Sequence, residues 1–371
     1  MIDFASAHAE GEDWRKLVKR CLEHLGALPG SANLGFVYAT DAFAGDFAGI
    51  VDALKQATGI SNWVGTVGIG VSATAIESFD RPALSVMAAS LPEDGFRIFS
   101  GVEHDLSQFR RRHGAWIKEK RPSLGIVHAD PRNQRIGDLV RELADETPCF
   151  LVGGLTASRS SYPQVAGAMT TGGLSGVMFA EAVQVSCGLS QGCSPIGKVR
   201  TVTQAEENVI MELDDGNALE AFKEDIGEVL ARDLRRIDGY IYIAFPVAGS
   251  DTGDYTVRNL IGIDPKLGYL GIGDYVSAGD RIVVCRRDRQ TAADDLRRML
   301  GQFKRRGNQR PRGGLYFSCV ARGPNMFGPD SEELRSIAGE LGEFPLVGFY
   351  ANGEISNNRL YGYTGVLALF L

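Results

Sequence analysis

The sequence predicts a mixed α/β protein, two related domains built from repeated strand-helix-strand-strand units. Three observations carry this. Apolar runs of strand composition alternate with amphipathic helical stretches. A Val-Gly dipeptide recurs in the middle strand of three such units, at Val64-Gly65, Val152-Gly153 and Val347-Gly348. The order strand, helix, strand, strand returns around each dipeptide, as internal duplication requires.

The elements follow in order. Trp14, Leu17, Val18, Cys21, Leu22 and Leu25 share one helical face, which predicts a helix over 14–25. A strand is expected at 34–40, a helix at 47–58, and strands at 63–70 and 83–88. The second unit reads as a strand at 124–130, a helix at 136–146, and strands at 149–154 and 173–179. The third reads as a strand at 314–320, a helix at 331–341 with Leu334, Ile337 and Leu341 inward, and strands at 345–350 and 364–370. A strand at 96–99 and a helix at 104–119 precede the second unit. A strand at 281–285 and a helix at 291–305 precede the third, so residues 95–180 are expected to superpose on 280–371. A helix at 218–234 and a strand at 239–246 open the C-terminal half as a helix and a strand open the chain. The predicted domains are 1–190 and 191–371, joined by a Gly- and Ser-rich linker over 188–197.

Totals exclude several function classes. The formal charge of -7 opposes nucleic-acid and anionic-membrane binding, both of which run on excess Lys and Arg. No apolar run reaches the roughly 18 residues of a membrane span. The opening stretch carries acids early and lacks the basic and apolar regions of a secretory signal, so a cytoplasmic protein is expected. Six cysteines without a Cys-x-x-Cys pair read as reduced thiols, and the five histidines have no metal-ligand spacing. No metal site is expected. Gly65, Gly68 and Gly70 do not have dinucleotide-loop spacing.

Four stretches offer chemistry. Cys193 and Ser194 lie in the 188–197 segment, and a cleft wall between domains is a favoured ligand site. Cys193 is the thiol in the most accessible setting. As a nucleophile it lacks a nearby His base, so an enzyme using Cys193 is the lesser alternative. Residues 249–259 supply Asp251, Thr252, Asp254, Arg258 and Asn259 as a polar loop between strands, either a self-capping turn or a pocket clamp. Arg258 has the planar fork that holds a carboxylate or phosphate. Arg322 and Asn325 follow the strand ending at 320, and Asn352 and Glu354 follow the next strand. Loops at the carboxyl ends of such strands are where open α/β sheets bind ligands. An ordinary Arg322–Glu354 ion pair is the alternative. His128, at a strand end, is the histidine best placed for a pocket. No nucleophile-base pair assembles from spacing, so no catalytic residue is assigned.

The closing stretches 345–356 and 360–367, with 63–68, 152–156 and 188–197, resemble the FIST sensory-domain family from about residue 30 onward. The resemblance implies a sensory module for small ligands in signal transduction, with amino acids the proposed ligand class. Relatives are often fused to output domains absent here, so a separate signalling partner is implied. Some relatives bind haem and sense nitric oxide, but no histidine maps as a haem ligand, and no cofactor is expected. The family supplies no agreed catalytic residues. The expected ligand set is therefore Cys193, Ser194, Arg258, Arg322, Asn352 and Glu354, with Arg taking a carboxylate and Glu354 an ammonium.

Overall fold

The computed structural model describes residues 3–26, 28, 32–247, 253–307 and 309–371. The chain forms two compact units, Met1–Ser190 with Arg297–Leu371, and Gln191–Leu296. It leaves the first unit where the sequence places a domain boundary and returns to it inside a helix.

The first unit is a triplication. Its first module runs β1 (Asp3–Glu10), α1 (Trp14–Leu25), β2 (Leu34–Thr40), α2 (Phe47–Thr58), β3 (Asn62–Gly68) and β4 (Ala83–Ser90). The second runs β5 (Phe96–Val102), α3 (Ser107–Lys120), β6 (Leu124–Ala129), α4 (Ile136–Glu146), β7 (Phe150–Leu155) and β8 (Leu174–Phe179). The third runs β9 (Val185–Ser190), α5 (Arg289–Arg306), β10 (Gly313–Cys319), α6 (Glu332–Leu341), β11 (Leu346–Ala351) and β12 (Gly365–Phe370). Each sheet takes the same order: β1-β4-β2-β3, β5-β8-β6-β7 and β9-β12-β10-β11. The helix-linked pairs β2–β3, β6–β7 and β10–β11 are parallel, as a crossover connection demands.

Two sequence expectations are corrected here. The strand at 281–287 is not the first strand of the third module. It belongs to the sheet of the other unit, and β9 takes its place, so residues 280–371 match 95–180 only from the helix onward. Residues 191–288 are inserted between β9 and α5, so neighbours in sequence are not neighbours in topology. The expected 188–197 linker is strand on both sides of the boundary, β9 and then Cys193–Pro195. Its glycine has a packing reason: a Cβ on Gly188 would lie 2.8 Å from Met299 Cγ and from Phe303 Cε2.

The Val-Gly anchors have one physical cause. A Cβ at Gly65, Gly153 or Gly348 would fall 1.7, 1.9 or 1.7 Å from the carbonyl oxygen of Val37, Val127 or Tyr316 on the parallel neighbour. The backbones approach too closely there for any side chain. The modules also exchange hairpins. Hairpin 70–79, from the first module, pairs with β11 of the third. Hairpin 164–170, from the second, pairs with β3 of the first. Hairpin 354–361, from the third, pairs with β7 of the second.

Apolar inner faces of all three sheets meet in one core. At its centre lie Tyr38, His128 and Phe317, each one residue past the position opposite its module's Val-Gly glycine. Tyr38 stacks on Phe349 at 5.3 Å, and the His128 ring sits 5.5 Å from Tyr38 and 6.3 Å from Phe317. Helices α1 and α2 cover the outer face of the first sheet, with Leu17, Val18 and Cys21 packed against Phe47, Ile50 and Leu54. Asp13 caps α1 by accepting from the Arg15 N–H.

The second unit is antiparallel. Strands 281–287, 200–206, 209–213, 269–272, 255–264 and 241–246 pair in that order, and the last pairs back to the first, closing a barrel. Helix Ala218–Ile226 places Leu219 and Phe222 in its core beside Val202, Ile243, Leu270 and Val284. The expected helix over 218–234 ends at Ile226, because Gly227 takes a positive φ of 79°.

Candidate functional site

The carboxyl ends of β10 and β11 hold the most concentrated buried charge of the first unit. Arg322, in the turn after β10, and Glu333, in the first turn of α6, are both 0% exposed. Arg322 Nε donates to Glu333 Oε1 at 2.7 Å, and Nη2 lies at the same distance. Glu333 also accepts from the Tyr316 hydroxyl at 2.6 Å, the Ser318 hydroxyl at 3.2 Å and the Gly323 N–H at 3.1 Å. Burial disfavours the Arg322 charge, yet the neighbouring Glu333 carboxylate leaves its pKa above the usual value.

The other edge of the guanidinium is loosely held. Nη1 reaches the carbonyls of Ser190 and Tyr363 only at 3.5 Å, and Nη2 the Ser190 hydroxyl at 3.3 Å. These are beyond the usual range for such bonds. Phe327 closes one face at 5.0 Å.

Glu354 opens the exchanged hairpin 354–361, opposite Gly154 of β7. It is 0% exposed. Its Oε2 accepts from the Thr364 N–H at 3.1 Å and hydroxyl at 2.8 Å, while Oε1 has no hydrogen-bond partner among the described residues. Burial pushes its pKa up to about 8, against lowering by the Thr364 bonds, the Arg322 charge and the neighbouring Cys319 thiol. The equivalent position in the second module's hairpin is Gln164, opposite Thr66. Both ends of that amide have partners, its oxygen the Ser175 hydroxyl at 2.6 Å and its nitrogen, at a longer 3.3 Å, the Gly173 carbonyl. The lone carboxylate oxygen is therefore peculiar to the third module.

A second buried acid lies nearby. Glu77, on hairpin 70–79, accepts from the Tyr350 hydroxyl, and its own N–H donates to Ser331 Oγ at 3.0 Å. Burial raises its pKa to about 7, and the Glu333 charge adds to this.

The sequence-derived residues divide between the units. Arg322, Asn352 and Glu354 lie in the first, where Asn352 is exposed on the turn into the hairpin and contributes its N–H to the Leu155 carbonyl. Arg322 and Glu354 come from adjacent strand ends, but the ion-pair partner of Arg322 is Glu333. Asn325 turns back to the Val320 carbonyl at 3.0 Å.

Cys193, Ser194 and Arg258 lie in the barrel unit. Cys193 is 0% exposed, against the accessible setting expected from its Gly- and Ser-rich context, because a three-residue strand carries it into the sheet. The Tyr255 hydroxyl donates to its carbonyl. Ser194 is half-buried, 3.5 Å from the Thr291 hydroxyl. Arg258 and Asn259 are strand residues rather than loop residues, and Arg258 pairs with Asp274 at 2.6 Å. Two strands separate Cys193 from Arg258, roughly 14 Å at sheet spacing. Residues 249–252, including Asp251 and Thr252, lie outside the described residues.

Sequence reasoning missed Glu333, Tyr316, Tyr350 and Glu77. One signal was present: Glu333 shares a helical face with the inward Ile337, an acid where an apolar residue belongs. His128 is a core residue instead of a pocket residue. Its Nε2 sits 3.1 Å from the Tyr38 hydroxyl, and burial lowers its pKa to about 3.

A Ser–His pair also exists. Ser78 Oγ is 2.8 Å from His8 Nε2, whose Nδ1 meets Ser85 Oγ at 2.9 Å. Ser78 is 0% exposed and shared with the Glu10 carboxylate, and Ser85 has no charge to steady an imidazolium. The pair clasps β1 to its neighbours. Among the described residues no His, Cys, Asp and Glu cluster could hold a metal ion, and no helix is long and apolar enough to cross a membrane.

The FIST N domain matches residues 33–216 and the FIST C domain residues 218–357. The uncharacterized protein MT0656 of Mycobacterium tuberculosis (strain CDC 1551 / Oshkosh) is 32% identical over 329 residues, 83% of each chain. The uncharacterized protein Mb0898c of Mycobacterium bovis is 35% identical over 192 residues, 49% of this chain and 50% of its own. FIST domains are associated with sensory signal transduction and small-ligand binding. Matched by both domain families along most of its length, the chain belongs to the FIST family.

Proposed function

We propose that the protein is a non-catalytic sensor of a small zwitterion, an amino acid or close relative, bound at the ends of β10 and β11. One observation carries this: a fully buried carboxyl with an unpartnered oxygen, Glu354 Oε1, beside a guanidinium whose outer edge makes only long contacts. A ligand carboxylate fits the Arg322 fork and an ammonium fits Glu354. A buried ion pair is weak as a stabilising device, so stability alone does not account for Arg322 and Glu333. The enclosing of both groups means that the ligand enters through a local opening, which suits a sensor whose bound and free states differ. The output passes to a separate signalling partner.

The haem alternative draws no support from His128, whose ring is walled by Tyr38, Phe317 and Phe349. The enzyme alternative draws none from Cys193, which is enclosed.

The test is a thermal-shift screen of amino acids on the full chain, since a ligand bound only by the folded state raises its melting temperature. Glu354→Gln should bind the best hit at least tenfold more weakly, given about 2–5 kcal/mol for losing a buried charged partner. Unchanged binding by that variant disproves the site. A Soret band in protein made with haem supply would favour the haem reading.

A further inference from the structure

The second candidate site lies at the far end of α5. Its last turn, β9, β12 and the end of α6 enclose an open groove of about 710 Å³. Phe303, Leu341, Leu369 and Pro311 give it an apolar floor, and Lys304, Arg306 and Arg310 rim it against one acid, Glu340. Lys304 pairs with Glu340. Among the described residues, Arg306 and Arg310 donate to the carbonyls of Cys187, at 2.8 Å, and Glu343, at 3.0 Å. Carbonyls orient the two guanidinium groups without cancelling their charge. In a chain of net charge -7, residues 304–312 carry five cations and no acid.

From this charge pattern over an apolar floor, we propose that the groove docks an acidic peptide of a partner protein, with an aliphatic anchor on Phe303 and Leu341 and carboxylates on Arg306 and Arg310. β9 is the edge strand of its sheet, but the peptide does not extend that sheet. Arg306 occupies the Cys187 carbonyl and Arg298 the Leu189 carbonyl, which are the groups an added strand would need. The peptide instead lies across the groove and is held by side chains. The inference is independent of the small-ligand reading, because the groove shares no residue with Arg322 or Glu354.

The test uses the full chain and three labelled twelve-residue peptides, of Glu and Leu, of Glu and Gly, and of Lys and Leu, read by fluorescence anisotropy. The Glu-Leu peptide should bind at least tenfold more tightly than the other two and should weaken as salt is raised. The double variant Arg306→Glu, Arg310→Glu should lose at least tenfold at an unchanged melting temperature. Arg305→Glu makes the same kind of charge change on the same helix turn, at an exposed residue outside the groove, and should stay within about twofold. Leu341→Asp should also lose binding. Equal binding of the three peptides, an unaffected double variant, or binding of laurate or of anionic phosphatidylglycerol vesicles without the Glu-Leu peptide would each overturn the proposal.

Discussion

Glu354 makes folding depend on pH in an unusual direction. Its folded pKa, about 8, lies above the ordinary carboxyl value of 4.5, so the fold prefers the protonated acid. The stability this contributes is complete below 4.5 and is lost as the pH climbs through about 8, at no more than about 1.4 kcal/mol per pH unit. Glu77 acts with the same sign up to about 7. Glu354→Gln mimics the protonated acid. Urea unfolding should therefore show it losing less stability than the parent between pH 5 and 8.5, by about 2 kcal/mol or more, and equal losses would dismiss the burial argument. The same linkage predicts proton release when an ammonium binds at neutral pH. Calorimetry in buffers of different ionisation enthalpy should return up to about one proton per ligand, and zero would count against Glu354 as the ammonium partner. The placement of Arg322 and Glu354 just past adjacent strands was legible because the strand pattern ahead of each is local. Glu333 was hidden inside an amphipathic pattern, where one acid among apolar residues looks like a solvated edge. Cys193 misled because local Gly and Ser content says nothing about a strand pairing with residues 285–287.

At the level of elements, the Val-Gly glycines separate two uses of the same residue. Gly348 lies under the Tyr316 carbonyl, so Gly348→Ala should cost about 3 kcal/mol or more, or prevent folding. Gly339, inside α6, has open space around its missing Cβ, and Gly339→Ala should stabilise by about 0.5–1 kcal/mol. Chemical denaturation of the two variants should move in opposite directions. The three dipeptides were legible because the same close approach recurs, and α1, α2 and α4 fell within their expected bounds because one-sided apolar periodicity is local. The exchanged hairpins were not legible. Ser72 finds its partner at Gly348 and Ile355 at Gly153, and no periodicity encodes pairing across that distance. Barrel strands 241–246 and 281–287 were expected, but 200–206, 209–213, 255–264 and 269–272 escaped for another reason. Strand 200–206 alternates buried and exposed positions with polar residues at nearly every second site, which reads as loop.

On the scale of the whole molecule, two family domains in sequence become a triplicated unit with a barrel inserted into its third module. The barrel closes on itself and has its own apolar core, so residues 191–296 expressed alone should unfold cooperatively and give dispersed amide resonances. A collapsed spectrum would show that its core depends on the rest of the chain. The insertion also sets an order of events during synthesis. β12 lies between β9 and β10 in its sheet, yet β9 is translated first and then waits for the barrel, α5, β10, α6 and β11 before its partner strand β12 exists. The central face around Tyr38 and His128 waits as well, since Phe317 and Phe349 arrive on β10 and β11. The ribosome therefore carries a chain whose largest apolar faces stay open until residues 365–370 emerge, and that interval is when a holding chaperone has most to protect.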